Sequence, residues 1–161
     1  HIQYGINVNR AVDIRYANRS MAYKIPNCCV VDMKIPMEVF FPDILTEPFL
    51  MVSEEAAQVI EMYEPETIFK TIYLLETKSE IHATYFMPFV EEVECLSEQT
   101  KRSRGGTELF EIVLRKDAVA GKTVFRIAGF THPYLIVRLD ALESMLRRDI
   151  RGIRLKELSA V

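Results

Sequence analysis

The chain has no tryptophan, three histidines, three cysteines and six glycines among its 161 residues, and each scarcity closes off a class of function. Cys28, Cys29 and Cys95 are an odd number with two adjacent, which suits neither a secreted disulfide framework nor the Cys-x-x-Cys spacing of a zinc site. They are expected to be free thiols, small buried hydrophobes in a reducing cytoplasm. No His-Glu-x-x-His or similar short spacing offers a ligand set, so neither a metal nor another cofactor is expected. No apolar run reaches the roughly 18 residues of a membrane span, and no basic, apolar and small-residue series marks a signal peptide. The expectation is a cytoplasmic protein without membrane association.

Catalytic motifs are equally scarce. A nucleophile needs an adjacent base that a third group orients, yet His82 and His132, the two interior histidines, lie in no recognisable local motif. There is no Gly-x-Ser-x-Gly elbow. Ala120-Gly121-Lys122-Thr123 looks like the end of a phosphate-binding loop, but the first glycine of that motif would fall at Lys116, and a strand is predicted where a helix is required. A hairpin turn is the better reading. The basic loop Lys101-Arg102-Ser103-Arg104, followed by Gly105 and Gly106, is small, lacks interleaved aromatics and follows an acidic stretch, so nucleic acid is not an expected partner.

What the chain does have is apolar residues, 49% of the total with nine Phe and seven Tyr, ample for one core and a single domain over residues 1–161. Charge is polarised along it. Residues 1–37 carry a net +3, residues 38–100 a net −12 and residues 101–161 a net +6. Such polarity either neutralises itself within the fold or leaves an acidic face for a basic partner.

A gap-free internal repeat organises the rest. Residues 48–73 return as 133–158: Pro48-Phe49-Leu50-Met51-Val52 becomes Pro133-Tyr134-Leu135-Ile136-Val137, Ala56 matches Ala141, Ile60 matches Met145 and Ile68 matches Ile153. The pattern predicts a strand over 49–52, a helix over 54–63 and a strand over 67–75. The second copy then has a strand over 134–137, a helix over 139–148 and a strand over 153–158. Ser53 is placed to cap the first helix, with Glu54 and Glu55 favoured by its dipole, whereas Arg138 holds the matching position in the second. The first copy is acidic and the second basic, so the copies could attract each other across a pseudo-twofold.

Elsewhere, residues 1–27 read as irregular with a short strand near 21–25, and residues 28–33 and 81–90 read as strands. Pro26, Pro36, Pro42 and Pro48 mark edges or turns. Residues 108–115 and 123–128 alternate and are predicted to pair as a hairpin. The expected fold is α+β: a mostly antiparallel sheet with two short helices, built from two copies of a strand-helix-strand unit.

Three segments taken together resemble a known group. Val124-Phe125-Arg126-Ile127-Ala128-Gly129-Phe130, then Pro133 to Val137, then a short helix and Arg151-Gly152-Ile153-Arg154-Leu155-Lys156-Glu157-Leu158, are similar to the C-terminal half of a bacterial immunity family. These are antidote proteins encoded beside polymorphic toxins, the group numbered eleven, many of them described only as a domain of unknown function. Pro48 to Glu55 resembles that family's first Val-Ser-helix unit. The resemblance runs over residues 40–161, and it departs at Arg138, where a serine is expected, and at Leu155, where the tail usually has Phe.

The resemblance implies a protein that binds a cognate toxin and neutralises it by occlusion, without chemistry. The acidic stretch is the expected contact surface, with Glu54, Glu55, Glu61, Glu91, Glu92 and Glu94 as partner-binding candidates, because complementary charge accelerates encounter. Two other classes remain open at this point. One is a small enzyme or ligand-binding domain with a pocket near His82 and His132, to which Tyr85 and Arg126 could contribute; the other is a scaffold or oligomerisation module.

Overall fold

A computed structural model describes residues 12–33, 41–76 and 80–161. Two short 3-10 helices, Ile14–Tyr16 and Arg19–Lys24, come first. Then follow β1 (Cys28–Asp32), β2 (Ile44–Leu45), β3 (Met51–Val52), α1 (Glu54–Tyr63), β4 (Ile68–Glu76) and β5 (Ile81–Phe89). The second half holds β6 (Glu92–Val93), β7 (Lys101–Arg102), β8 (Leu109–Glu111), β9 (Val113–Leu114), α2 (Lys116–Val119), β10 (Val124–Ile127), β11 (Leu135–Val137), α3 (Leu139–Arg147) and β12 (Ser159–Ala160). The fold is α+β with mostly antiparallel strands.

The first half is a five-stranded sheet in the order β1-β4-β5-β3-β2. Its spine is the β4–β5 hairpin, antiparallel from Ile68 opposite Phe89 to Glu76 opposite Ile81, with β1 parallel along the outer edge of β4. Period-two alternation sets its faces. Cys29 and Val31 of β1, Ile72 and Leu74 of β4, and Tyr85, Met87 and Phe89 of β5 turn inward to one core, closed by Val12, Ala22 and Ile25 from the N-terminal segment. The opposite face, with Phe69 and Phe86, packs on Ala56, Val59 and Ile60 of α1 and on Ala141 and Met145 of α3.

The helices sit where their sequences place them. Ser53 Oγ accepts the Ala56 N–H at 3.3 Å, satisfying one orphan first-turn amide of α1. Arg138 makes no side-chain cap for α3; it pairs with Asp140, whose Oδ1 accepts the Ala141 N–H. α1 and α3 meet through Tyr63, whose hydroxyl donates to Asp140 O at 3.0 Å and lies 2.8 Å from Ser144 Oγ. Among the described residues no ion pair joins the helices themselves; beside packing and neutral hydrogen bonds, the pKa of Arg138 at the start of the second copy's helix is raised by its bond to Asp140 and, less, by the charge of Glu64 at the end of the first's.

Both copies open with a strand and a helix, β3-α1 and β11-α3, and β4 completes the first; the predicted strand over 153–158 is absent, and β12 lies just past the second copy. The chain there has no regular structure and pairs only from Ser159 onward, with β9. The reading of 21–25 as a strand also fails. Asn18 Oδ1 accepts the Met21 N–H and starts a 3-10 helix instead. The hairpin predicted between 108–115 and 123–128 does not form: β8 pairs with β7, β9 with β12, and β10 with β11 and β6. Alternation marked these segments as strands, but β8 and β10 paired with their other chain neighbours, β7 and β11, and β9 with the distant β12. Residues 1–11 and Pro36 lie outside the described residues.

Candidate functional site

The six acidic candidates divide between two regions. Glu54, Glu55 and Glu61 stand exposed on α1 and form no ion pair among the described residues. Glu91 and Glu92 are engaged within the fold. Glu91 binds Lys122 Nζ through both carboxylate oxygens at 2.6 Å, and Glu92 lies 3.7 Å from the buried Arg126 guanidinium. Glu94 is exposed beside Glu92. The candidates thus lie partly on α1 and partly on and beside β6, with Glu91 and Glu92 also engaged within the fold. Glu64, by contrast, turns inward, its Oε1 accepting the N–H groups of Thr123 and Val124 and tying the end of α1 to β10.

The histidines do not converge. His82 is exposed near the start of β5, whereas Thr131 and Pro133, flanking His132, pack beside Met87 and Pro88 near its far end. Five residues of strand separate those ends by about 17 Å at roughly 3.3 Å per residue. His132 is exposed and meets Tyr134 edge-on, ring centroids 4.7 Å apart. Tyr85 is buried, and its hydroxyl donates to Pro42 O at 2.7 Å. A pocket uniting His82 and His132 is thus not built.

Arg126 lies in a crevice with Ile14, Ala17, Phe49, Met87 and Pro133, whose free volume of about 10 Å³ suits no more than a water molecule. Its guanidinium donates to Ala17 O at 2.7 Å, while Nε has no partner among the described residues. Burial pushes its pKa below the ordinary arginine value, and the Glu92 charge opposes that shift. This arrangement fastens the N-terminal segment to β10. It has no room for a substrate.

The roomy feature is a groove of about 670 Å³ in the second half, missed in the sequence because its lining residues are spread from Leu114 to Leu158. Its walls are β11 with Leu139 and Leu142 of α3 on one side, and residues 154–158 on the other; Phe125 and Leu114 lie between. Arg154, Lys156 and Glu157 line it and are exposed; Lys156 Nζ donates to Phe110 O at 3.3 Å, and its charge adds to the Lys101 hydrogen bond in lowering the pKa of Glu111. Leu139 and Leu155 are 67% and 54% exposed, far more than a sealed core would leave them.

The groove is bordered by an open strand edge. Across β10 and β11, Arg138 N–H donates to Thr123 O at 2.8 Å and Ile127 N–H to Tyr134 O at 3.1 Å. Bonded pairs alternate along an antiparallel ladder, so Phe125 and Ile136 form the pair between them, and the N–H and C=O of Leu135 and Val137 point away from β10. No described residue bonds those groups. Opposite them, the backbone of residues 153–157 likewise bonds no described residue. What the fold and this site define is an α+β protein with an apolar groove lined at its edge by Arg154, Lys156 and Glu157. No family model, curated protein or solved structure matches the chain. Among the described residues no helix is long and apolar enough to cross a membrane, and no cluster of side chains could hold a metal ion.

Proposed function

We propose that this protein works by binding another protein, and that it is an immunity-type protein which neutralises a cognate bacterial toxin by occlusion. The groove beside β11 is the observation that supports this reading best. An apolar floor supplies burial, an open strand edge supplies backbone donors and acceptors, and a basic rim supplies orientation, the combination by which extended segments of partner proteins are recognised. No step of bond making is asked of any side chain. The groove is an anchor within a larger footprint, since stable complexes bury about 1,600 Å² in total. The exposed carboxylates of α1, Glu54, Glu55 and Glu61, add a field that steers a basic partner.

The test is co-expression in bacteria of this chain with the toxin domain encoded beside its gene. Growth should be restored, and the two chains should co-elute as a stable complex. Continued toxicity with no complex would end the reading.

A further inference from the structure

We propose that residues 12–25 form a strap that lifts off the first sheet while the rest of the fold stays closed, and that Arg126 is its latch. The guanidinium bonds Ala17 O when the strap is down and closes onto Glu92 when the strap is up.

The strap is lightly attached. Among the described residues each of its backbone hydrogen bonds stays inside the segment, from Tyr16 N–H to Asp13 O, Ala17 N–H to Ile14 O, Met21 N–H to Asn18 O and Ile25 N–H to Ala22 O. No described strand pairs with it. Two side-chain hydrogen bonds cross to the body, Arg19 Nη2 to Glu66 O at 3.2 Å and Arg126 Nη1 to Ala17 O at 2.7 Å, and the first is made by an exposed arginine. Its buried side chains are Val12, Ala22 and Ile25, all of them small or medium in size.

The sheet beneath is held far more firmly. β4 pairs with β5 along all nine of its residues, and the two strands bury Ile72, Leu74, Tyr85, Met87 and Phe89 on the side that the strap covers. Opening free energies follow buried apolar contacts and ladder hydrogen bonds, so the strap opens before the hairpin does. The movement stops at Asn27. Its C=O accepts the Thr71 N–H at 2.8 Å and its Oδ1 accepts Lys70 Nζ at 2.6 Å, which fastens the chain to β4 just past the strap.

The latch has two positions because one nitrogen faces two acceptors. Arg126 of β10 and Glu92 of β6 stand opposite each other in a parallel ladder, and Glu92 Oε1 lies 3.7 Å from the same Nη1 that bonds Ala17 O. That separation is too long for a hydrogen bond, and a rotamer change closes it. When the strap leaves, Nη1 loses a carbonyl and has a carboxylate within reach, the stronger acceptor of the two. Both residues remain on paired strands throughout. Lifting Ile14 and Ala17 from the crevice also gives water access to Arg126, whose Nε is buried and unpartnered with the strap down. A guanidinium that has acceptors in both positions makes the strap a two-state element rather than a fraying segment.

The test is amide hydrogen exchange in the intact chain, read residue by residue. The amides of Tyr16, Ala17, Met21 and Ile25 should share one opening free energy, and it should lie below that of Ile72 and Tyr85 in the hairpin. Unrelated values among the strap amides, or exchange only together with the hairpin, would overturn the strap. Glu92→Gln should slow exchange of the strap amides about threefold, the worth of an exposed ion pair, because it weakens the open position. Unchanged or faster exchange would overturn the latch, since Glu92 would then support the closed position or neither.

Two further variants make the result specific. In an Arg126→Met background Glu92→Gln should leave the strap amides where Arg126→Met alone puts them, because the two side chains act through each other. A slowing that persists there would place the effect of Glu92 elsewhere and end the latch. Glu92→Asp keeps the charge and shortens its reach by one methylene, so it should slow exchange by a similar factor; it decides the matter if glutamine disturbs β6.

Discussion

A guanidinium withdrawn from water must be matched by its surroundings, and Arg126 is matched only in part. It has one good hydrogen bond, to Ala17 O, a Glu92 carboxylate at 3.7 Å, and an unsatisfied Nε. Partly satisfied buried charges are poor stabilisers, and apolar side chains of similar volume often replace them without loss. Arg126→Met should accordingly shift stability by no more than about 1 kcal/mol in urea denaturation, whereas Arg126→Ala, which also empties the packing of the stem, should cost about 2–3 kcal/mol. The thiols are a second residue-scale case. Cys28 is exposed while Cys29 and Cys95 are buried, and burial holds both of their pKa values above the ordinary thiol range. A thiol reagent should label one cysteine at once and the other two only on unfolding; immediate labelling of all three would mean that the core opens readily. The expectation of buried thiols holds for Cys29 and Cys95 and fails for Cys28. Which of the adjacent pair faces water was not legible from composition, because that depends on the pleat of β1 rather than on residue type.

Among the elements, α1 was readable to its last residue because Ser53, the two glutamates and the Ala56-Val59-Ile60-Tyr63 spacing all specify the same helix. Ser53→Ala should cost about 1 kcal/mol, the usual worth of an N-cap hydroxyl, measured by the denaturation midpoint. α3 begins differently, on the Arg138–Asp140 pair, which lowers the Asp140 pKa from 3.8 to about 2. A carboxylate with a depressed folded-state value contributes its stability above its ordinary pKa and loses it as pH falls through the folded one. Stability should therefore drop between about pH 4 and pH 2, and Asp140→Asn should flatten part of that slope while other paired acids retain theirs. The elements that sequence misplaced share a cause. Residues 21–25 and 153–158 have strand-like apolar spacing, but a strand exists only where a partner supplies its hydrogen bonds. Among the described residues neither segment has such a partner: the first lies in the N-terminal cover of the sheet, and the backbone of 153–157 bonds no described residue.

At the scale of the molecule, the repeat accounts for the strand-helix units, and the candidate site lies along the second of them. Apolar spacing carried the duplication into the sequence where it could be read. The open edge could not be read there, since it is a matter of register and of which strand lies beside which. Charge acts at the same scale. Glu54→Lys with Glu55→Lys and Glu61→Lys should slow association with a basic toxin about tenfold at low ionic strength and erase most of the salt dependence, with little change in dissociation. An unchanged association rate would remove α1 from the encounter surface. The central claim is that the second copy presents an unpaired edge, and amide hydrogen exchange of Leu135 and Val137, read beside the matched Val52, tests it most directly. In the free protein Val52, bonded toward β5, should exchange slowly, and Leu135 and Val137, whose amides bond no described residue, should exchange orders of magnitude faster. Equal protection of all three in the free protein would contradict the account.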